Sequence, residues 1–270
     1  YGTMLAFIQL VGQIQGPFRS LTTLIPSIIS GLTASERLQQ LEEIDLEIVE
    51  EQNSFHEEAV GIKFTDVSYT YHDGNRDILN DFIFDFSPGS STAILGETGA
   101  GKTTLIRLIL ALLSPTKGKI EFYSQSKSVK ASPATRCNLV YVPQGNTLLS
   151  GSIRDNLLLG NPNASQHEME EALHIACADF VLDLPEGLDT ICGEGGTGLS
   201  EGQAQRISIA RSLLRKGRIL LLDEVTSALD QEIEQQLIRN ILEQANKKCQ
   251  TLIFITHRPA VIEFCQNTLH

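Results

Sequence analysis

The 270-residue chain carries 33 acidic against 21 basic residues, for a formal charge of -12, and 41% of it is hydrophobic. That apolar content excludes a wholly disordered chain, and the acidic balance excludes a general nucleic-acid binder, whose footprint is basic. Five scattered cysteines, Cys137, Cys177, Cys192, Cys249 and Cys265, form no CxxC pair; neither a zinc site nor a disulfide framework is expected, and free thiols in a reducing compartment are.

Residues 1–35 hold one charge, Arg19. Ala6, Gln9, Gln13, Gly16, Ser20, Thr23, Ser27 and Ser30 recur at steps of three and four, so they share one helical face, and Leu5, Ile8, Ile14, Phe18, Ile25 and Ile29 lie off it. A helix of this length runs about 50 Å, against a bilayer core of about 30 Å. A spanning helix is expected here, protruding into water, with Pro17 and Pro26 as candidate kinks. The competing reading is a long core helix of a soluble protein. The polar face fits a substrate path or a helix–helix seam of small residues. No signal-peptide pattern is visible, and an opening inside an apolar run without Met is read as a chain missing its beginning.

Residues 36–58 turn acidic, with Glu36, Glu42, Glu43, Asp45, Glu47, Glu50, Glu51, Glu57 and Glu58. The stretch ERLQQLEE predicts helix and the rest a solvated linker. The expected organisation is therefore 1–41 as a membrane helix and its extension, 42–58 as linker, and 59–270 as a folded domain. Beyond residue 60, the runs Thr92–Leu95, Leu139–Val142, Ile219–Leu222 and Leu252–Ile255 suit strands buried on both faces of a mainly parallel sheet. Helical patterns fit between them, such as 231–247 behind an Asp230 cap. This alternation predicts an α/β fold.

The strongest motif is Gly96, Glu97, Thr98, Gly99, Ala100, Gly101, Lys102, Thr103, Thr104, which fits a P-loop between a buried strand and an apolar helix. Its glycines let backbone N–H groups wrap phosphates, and the helix offers them its positive end. Lys102 is placed to reach the terminal phosphates and Thr103 to ligate Mg²⁺. Next, the strand Ile219–Leu222 ends in Asp223 and Glu224 at the carboxyl edge of the sheet, where ligands of open α/β sheets bind. Asp223 suits the metal and Glu224 the attacking water, as base or as orienting group. Together the two motifs indicate nucleoside triphosphate hydrolysis.

A third motif narrows the choice. Leu199, Ser200, Glu201, Gly202 and Gln203 open a helix through Ile207, Ala210 and Leu214, preceded by Gly193–Gly196. Ser200 and Gln203 fit a capping box, and such an N-terminus is also an anion site. LSEGQ, about twenty residues before LLLDE, resembles the signature of ABC transporter ATPases, and the exporter-type members with fused membrane and ATP-binding parts above all. The resemblance covers essentially the whole chain. It implies a P-loop NTPase fold with a mainly parallel core sheet, an antiparallel β subdomain and a helical subdomain, preceded by a long transmembrane helix. It assigns Tyr71, in VSYTYH, to stacking on adenine; Gln144, in YVPQ, to Mg²⁺ and to sensing the membrane domain; Ser227–Asp230 to a loop crossing the dimer interface; and His257, in FITH, to the γ-phosphate. Residues 150–156 and 184–188 resemble the exporters' helical subdomain.

The resemblance further implies ATP and Mg²⁺ as ligands, and a head-to-tail pair in which ATP on one P-loop is capped by Ser200 and Gly202 of the other copy. A homodimer is expected and a heterodimer is compatible. The partners implied are a second nucleotide-binding domain, the transmembrane domain and the lipid membrane, with no nucleic acid. The full-length protein is expected to be multi-pass in the cell membrane, with 59–270 in the cytoplasm, exporting a cargo that these motifs do not name. The alternative is a soluble ABC-type ATPase acting on nucleic acid or the ribosome. Three departures stand out: Glu201 replaces a glycine of the signature, Ile191 stands where exporters often carry a coupling glutamate, and the sequence stops at His270, short of the domain's usual closing segment.

Overall fold

A computed structural model describes all residues except 45, 48–50, 56–57, 72–76, 97–98 and 270. It divides into two compact units, 1–48 and 49–270.

The first unit is one helix, α1 (Gly2–Glu42), unbroken through Pro17 and Pro26. Its hydroxyls turn back on their own backbone: Thr22 Oγ1 donates to Arg19 O at 2.8 Å, Thr23 Oγ1 to Ser20 O at 2.9 Å and Thr33 Oγ1 to Ile29 O at 2.9 Å. No helix among the described residues is long and apolar enough to cross a membrane. The expected spanning helix is thus met in length and not in hydropathy, because Gln9, Gln13, Gln15, Arg19 and the Ser/Thr run dilute the apolar residues. None of its residues is buried, and Met4, Phe7, Ile14, Phe18, Leu24, Ile28 and Leu32 are each more than half exposed.

The second unit opens with an antiparallel sheet. Strands β1 (Gly61–Thr70) and β2 (Asp77–Phe86) pair side by side. Then come β3 (Ser91–Ile94) and α2 (Lys102–Ile109), followed by β4 (Lys117–Tyr123) and β5 (Ser128–Lys130), which complete the sheet in the order β2-β1-β4-β5. Strand β6 (Leu139–Val142) leads into a helical region. This holds a two-stranded ribbon of β7 (Gly151–Ser152) with β8 (Ile191–Cys192), and the helices α3 (Ile153–Leu158) and α4 (Gln166–Ile175). The chain returns through α5 (Glu201–Leu213), β9 (Ile219–Asp223), α6 (Gln231–Lys248), β10 (Thr251–Ile255), α7 (Pro259–Phe264) and β11 (Asn267–Leu269). The second sheet, ordered β11-β3-β10-β9-β6, is parallel throughout. Edge strand β11 was not legible in the apolar runs.

Alternation along the central strands builds two cores from one sheet. Ile219, Leu221, Ile253 and Ile255 face Leu105, Ile106, Leu108 and Ile109 of α2 and the antiparallel sheet's Ile62, Phe64 and Phe86. Their neighbours Leu220, Leu222, Leu252 and Phe254 join the core of α5, α6 and the helical region. Strands buried on both faces must be apolar at every position, as the continuous runs predicted. Helix starts are fixed by side chains: Ser152, Ser165 and Ser200 each form a capping box, and Asp230 accepts from Ile233 N at 3.0 Å.

Within the 42–58 stretch expected to be a solvated linker, Asn53–Phe55 is docked on the second unit. Phe55 is buried beneath Lys127 Nζ, which lies 4.4 Å from its ring centroid and donates to Ser54 O at 2.7 Å. Buried Asn138, directly before β6, accepts from Phe55 N at 2.9 Å and donates to Asn53 O at 2.7 Å. Asn138→Ala leaves two backbone groups unpaired and is expected to destabilise the second unit by about 1–3 kcal/mol. Urea unfolding checks this, and an unchanged midpoint would show that the docking carries no energy.

Candidate functional site

Every group singled out for phosphate chemistry, apart from the signature and Tyr71, sits just past the carboxyl end of a parallel strand. The loop after β3 holds the P-loop, the loop after β6 holds Gln144, β9 ends in Asp223 with Glu224 next, and His257 follows β10. The sheet edge therefore assembles in space what the sequence scatters from Gly96 to His257. Gly99, Gly101, Lys102, Thr103, Thr104, Gln144, Asp223 and Glu224 line one cleft of about 400 Å³ with Ile78. Gly101, at φ +89°, is the N-cap of α2 and takes a left-handed turn that aims the helix's first amides into the cleft. Glu97 and Thr98 lie outside the described residues; Gly96 and Ala100 flank them in the same loop.

The carboxylate of Glu224 is the hub of the cleft. It accepts from Gln144 Nε2 at 2.9 Å, lies 3.7 Å from Lys102 Nζ and 3.6 Å from His257 Nδ1. Lys102 also donates to Gly96 O at 2.7 Å, so its charge is folded over its own loop. Glu224 has φ +47°, a left-handed conformation costly for a residue with a Cβ, and its N–H is fixed to Ile255 O at 2.9 Å. Strain of about 1–3 kcal/mol of this kind persists where the surroundings over-determine it. Burial, then the neighbouring Glu224 charge, push the Asp223 carboxyl above the usual carboxylate range, while the hydrogen bond from Tyr141 and the charge of Lys102 pull the other way. Tyr141 donates to Asp223 Oδ2 at 3.1 Å, and burial first, then Asp223, push its phenol up to about 12.

The structure brings together the P-loop, Gln144, Asp223, Glu224 and His257. Ser200, Gly202 and Gln203 do not line this cleft. They form the capping box of α5: Gln203 N donates to Ser200 Oγ at 3.2 Å and Ser200 N to Gln203 Oε1 at 2.9 Å. Gly202 is there for close approach, since a Cβ would stand 2.9 Å from Ala228 O. Glu201 is exposed in the first turn of α5, where negative charge suits the helix N-terminus, and Ile191 is exposed.

Tyr71 is tied to α2 through its hydroxyl. Its hydroxyl lies 3.3 Å from Thr104 Oγ1 and accepts from Arg107 at 3.0 Å, so in this structure the side chain rests on α2; the Thr104 hydrogen bond first, then Arg107, lower its pKa. Sequence reasoning also missed Tyr141, which holds Asp223, and the ties joining the loop after Gln144 to the one before the signature. Asn146 donates to Gly195 O and Gly195 N donates to Leu148 O at 3.2 Å, while Arg211, within α5, donates to Thr147 O at 2.9 Å. Only the Gly-rich loop itself hinted at them.

For a metal, Thr103, Gln144 and Asp223 supply hard oxygen donors to one cleft. No cluster of His, Cys, Asp and Glu able to hold a metal occurs among the described residues. That donor set fits a cation that arrives with phosphates rather than one held in a protein cage. A larger cleft, about 660 Å³, lies between α4, α5 and α6 and is lined by Arg215, Lys216, Arg218, Lys247 and Lys248. Its size does not make it the site: Lys247 and Lys248 fall in the last turn of α6 and Arg215 just past α5, where they offset the helix dipoles.

A parallel sheet with a P-loop at its carboxyl edge, an antiparallel sheet beside it and a helical region ending in a signature helix define an ABC-type P-loop NTPase. The sequence matches the family profile described as ABC transporter over residues 79–227, and the chain belongs to that family. It is 36% identical over 266 residues to the ATP-dependent lipid A-core flippase of Pseudomonas fluorescens, covering 97% of this chain and 44% of that protein. It is 34% identical over 262 residues to the cyclolysin secretion/processing ATP-binding protein of Bordetella pertussis, covering 97% and 36%. Among solved structures, a bacterial Atm1-family ABC exporter with ATP bound superposes with a TM-score of 0.76 at 31% identity, over 96% of this chain and 46% of that one. The chain thus spans less than half the length of each of these relatives.

Tyr71→Phe removes the tie to Thr104 and Arg107 but keeps the ring. It is expected to hold ATP affinity within about twofold, whereas Tyr71→Ala, losing a stacking face, should weaken it by about 1–3 kcal/mol. Titration with a fluorescent ATP analogue checks both, and equal affinities for the two variants would remove the ring from adenine recognition.

Proposed function

We propose that this chain binds ATP with Mg²⁺ in the P-loop cleft and hydrolyses it within a head-to-tail pair of nucleotide-binding domains, driving export across a membrane. The observation that carries the reading is the division of labour just described. Lys102, Thr103, Gln144, Asp223 and Glu224 share one cleft, while Ser200, Gly202 and Gln203 open the N-terminus of α5, an end that favours negative charge, and sit outside it. A second copy supplies the missing half. Each ATP is then held by one copy's P-loop and capped by the other's signature helix, so ATP favours the closed pair through its higher affinity there.

In the cleft, Lys102 leaves Gly96 O and Glu224 to neutralise the terminal phosphates. The amides of residues 99–103 wrap the phosphates, and Thr103, Gln144 and Asp223 hold Mg²⁺. The metal's contribution is to neutralise charge developing on the phosphate oxygens. Glu224, released from Lys102, faces the attacking water and accepts or orients its proton. His257, whose Nδ1 is 3.6 Å from that carboxylate, is placed to meet the γ-phosphate.

Residues 1–41 form the end of a membrane-domain helix. Its exposed Phe, Ile and Leu side chains call for neighbours, and its polar stripe suits a seam within a helix bundle better than contact with lipid. Residues 59–270 lie on the cytoplasmic face. The flippase, the cyclolysin secretion protein and a probable multidrug resistance ATP-binding/permease protein of Bacillus subtilis are 34–36% identical to this chain. We read similarity that even across such different names as cargo choice lying outside this domain. The net charge of -12 and these relatives leave the nucleic-acid alternative without support.

Lys102→Ala is expected to weaken ATP binding about tenfold or more, by loss of a charge-assisted contact. Glu224→Gln should keep ATP binding, accumulate ATP-dependent dimer and lower turnover by about 10²-fold or more. Nucleotide titration, chromatography with ATP and phosphate release measure these on the full-length protein in lipid. Undiminished turnover in Glu224→Gln would remove the carboxylate from its role.

A further inference from the structure

One cation beside the cleft has no part in the scheme so far. Arg258 follows His257, yet it does not line the P-loop cleft, and its guanidinium is engaged with the loop after β9 instead. One nitrogen donates to Ser227 O at 2.9 Å; the other donates to Leu229 O at 3.1 Å and to Glu234 Oε2 at 2.9 Å. Its backbone N–H is fixed to Thr256 Oγ1 at 3.0 Å. Glu234, in the first turn of α6, is 2% exposed, and its other oxygen, Oε1, has no hydrogen-bond partner among the described residues. Burying a carboxylate is costly unless it is paired, and a half-satisfied one is poor evidence of a stability device.

The other face of the same loop is held by the signature helix. Buried Gln205 donates to Glu224 O at 3.4 Å and accepts from Ala228 N at 3.4 Å, with Gly202 packed on Ala228 O. The 224–230 loop therefore runs between two clamps, and Arg258 is the one covalently joined to His257. A fork with two nitrogens in a fixed plane meets two carbonyls and a carboxylate at once; a single ammonium does not reproduce that geometry.

We infer that Arg258 is a positioning residue for hydrolysis: it locks the Ser227–Asp230 loop to the turn bearing His257, so that His257 and Glu224 hold one arrangement with the loop that faces the partner copy. The inference rests on the function proposed above. Loss of the lock displaces these groups without touching nucleotide, and displacements near 1 Å can cost on the order of 10²-fold in rate.

The test uses the full-length protein in lipid. Arg258→Lys keeps a positive charge beside Glu234, so the fold is retained. It is expected to lower kcat by about tenfold and leave the KM for ATP within about twofold. Arg258→Met combined with Glu234→Leu removes the buried pair in favour of apolar packing. It should melt at or above the wild-type temperature and still show the low kcat, which a merely structural role would not produce. Wild-type kcat in Arg258→Lys, or recovery of kcat together with stability in the double variant, would overturn the assignment alone. A wild-type protein that binds ATP but releases no phosphate would overturn the proposed function and this inference with it.

Discussion

The site is organised by one carboxylate held in a strained place. Glu224 sits at φ +47° immediately past a strand buried on both faces, with its N–H locked to the next strand and its side chain shared among Gln144, Lys102 and His257. Each neighbour arrives from a different loop, so the register of the parallel sheet sets the distances. β9 and β10 pair residue for residue from Ile219 to Asp223 and from Thr251 to Ile255; sliding either strand would part Glu224 from His257. The ladder register, together with the apolar filling on both sheet faces, therefore decides where the chemistry sits.

Much of this was legible in the sequence because the signals were short-range. The continuous apolar runs marked β3, β6, β9 and β10, and Ser200, Gln203 and Asp230 marked helix starts whose caps the structure forms. The P-loop and the Asp223–Glu224 pair were readable because phosphate chemistry demands those residue types at fixed spacing. What escaped had partners remote in sequence. Asn138 meets residues more than eighty positions earlier, Tyr141 meets Asp223, and Arg258 meets Ser227 and Glu234. A lone Asn, Tyr or Arg announces no partner, and the docking of Phe55 was hidden because the acidic residues around it read as solvated.

The membrane expectation shows the limits of pattern in another way. A helical face was read correctly and α1 forms over its whole length, but periodicity measures where polar groups lie and not how many apolar ones surround them. The structure keeps the hydroxyls of Thr22, Thr23 and Thr33 on the helix backbone, which lowers the cost of placing them beside apolar neighbours in a bundle.

The pinning of Asn53 and Phe55 on Asn138 has a mechanical corollary. Asn138 lies at the foot of β6, and Gln144 lies just beyond that strand's far end. A displacement of Asn53 or Phe55 is therefore passed to a stiff four-residue rod beyond whose other tip Gln144 lines the P-loop cleft. A pull at one end and the cleft at the other thus share one short axle.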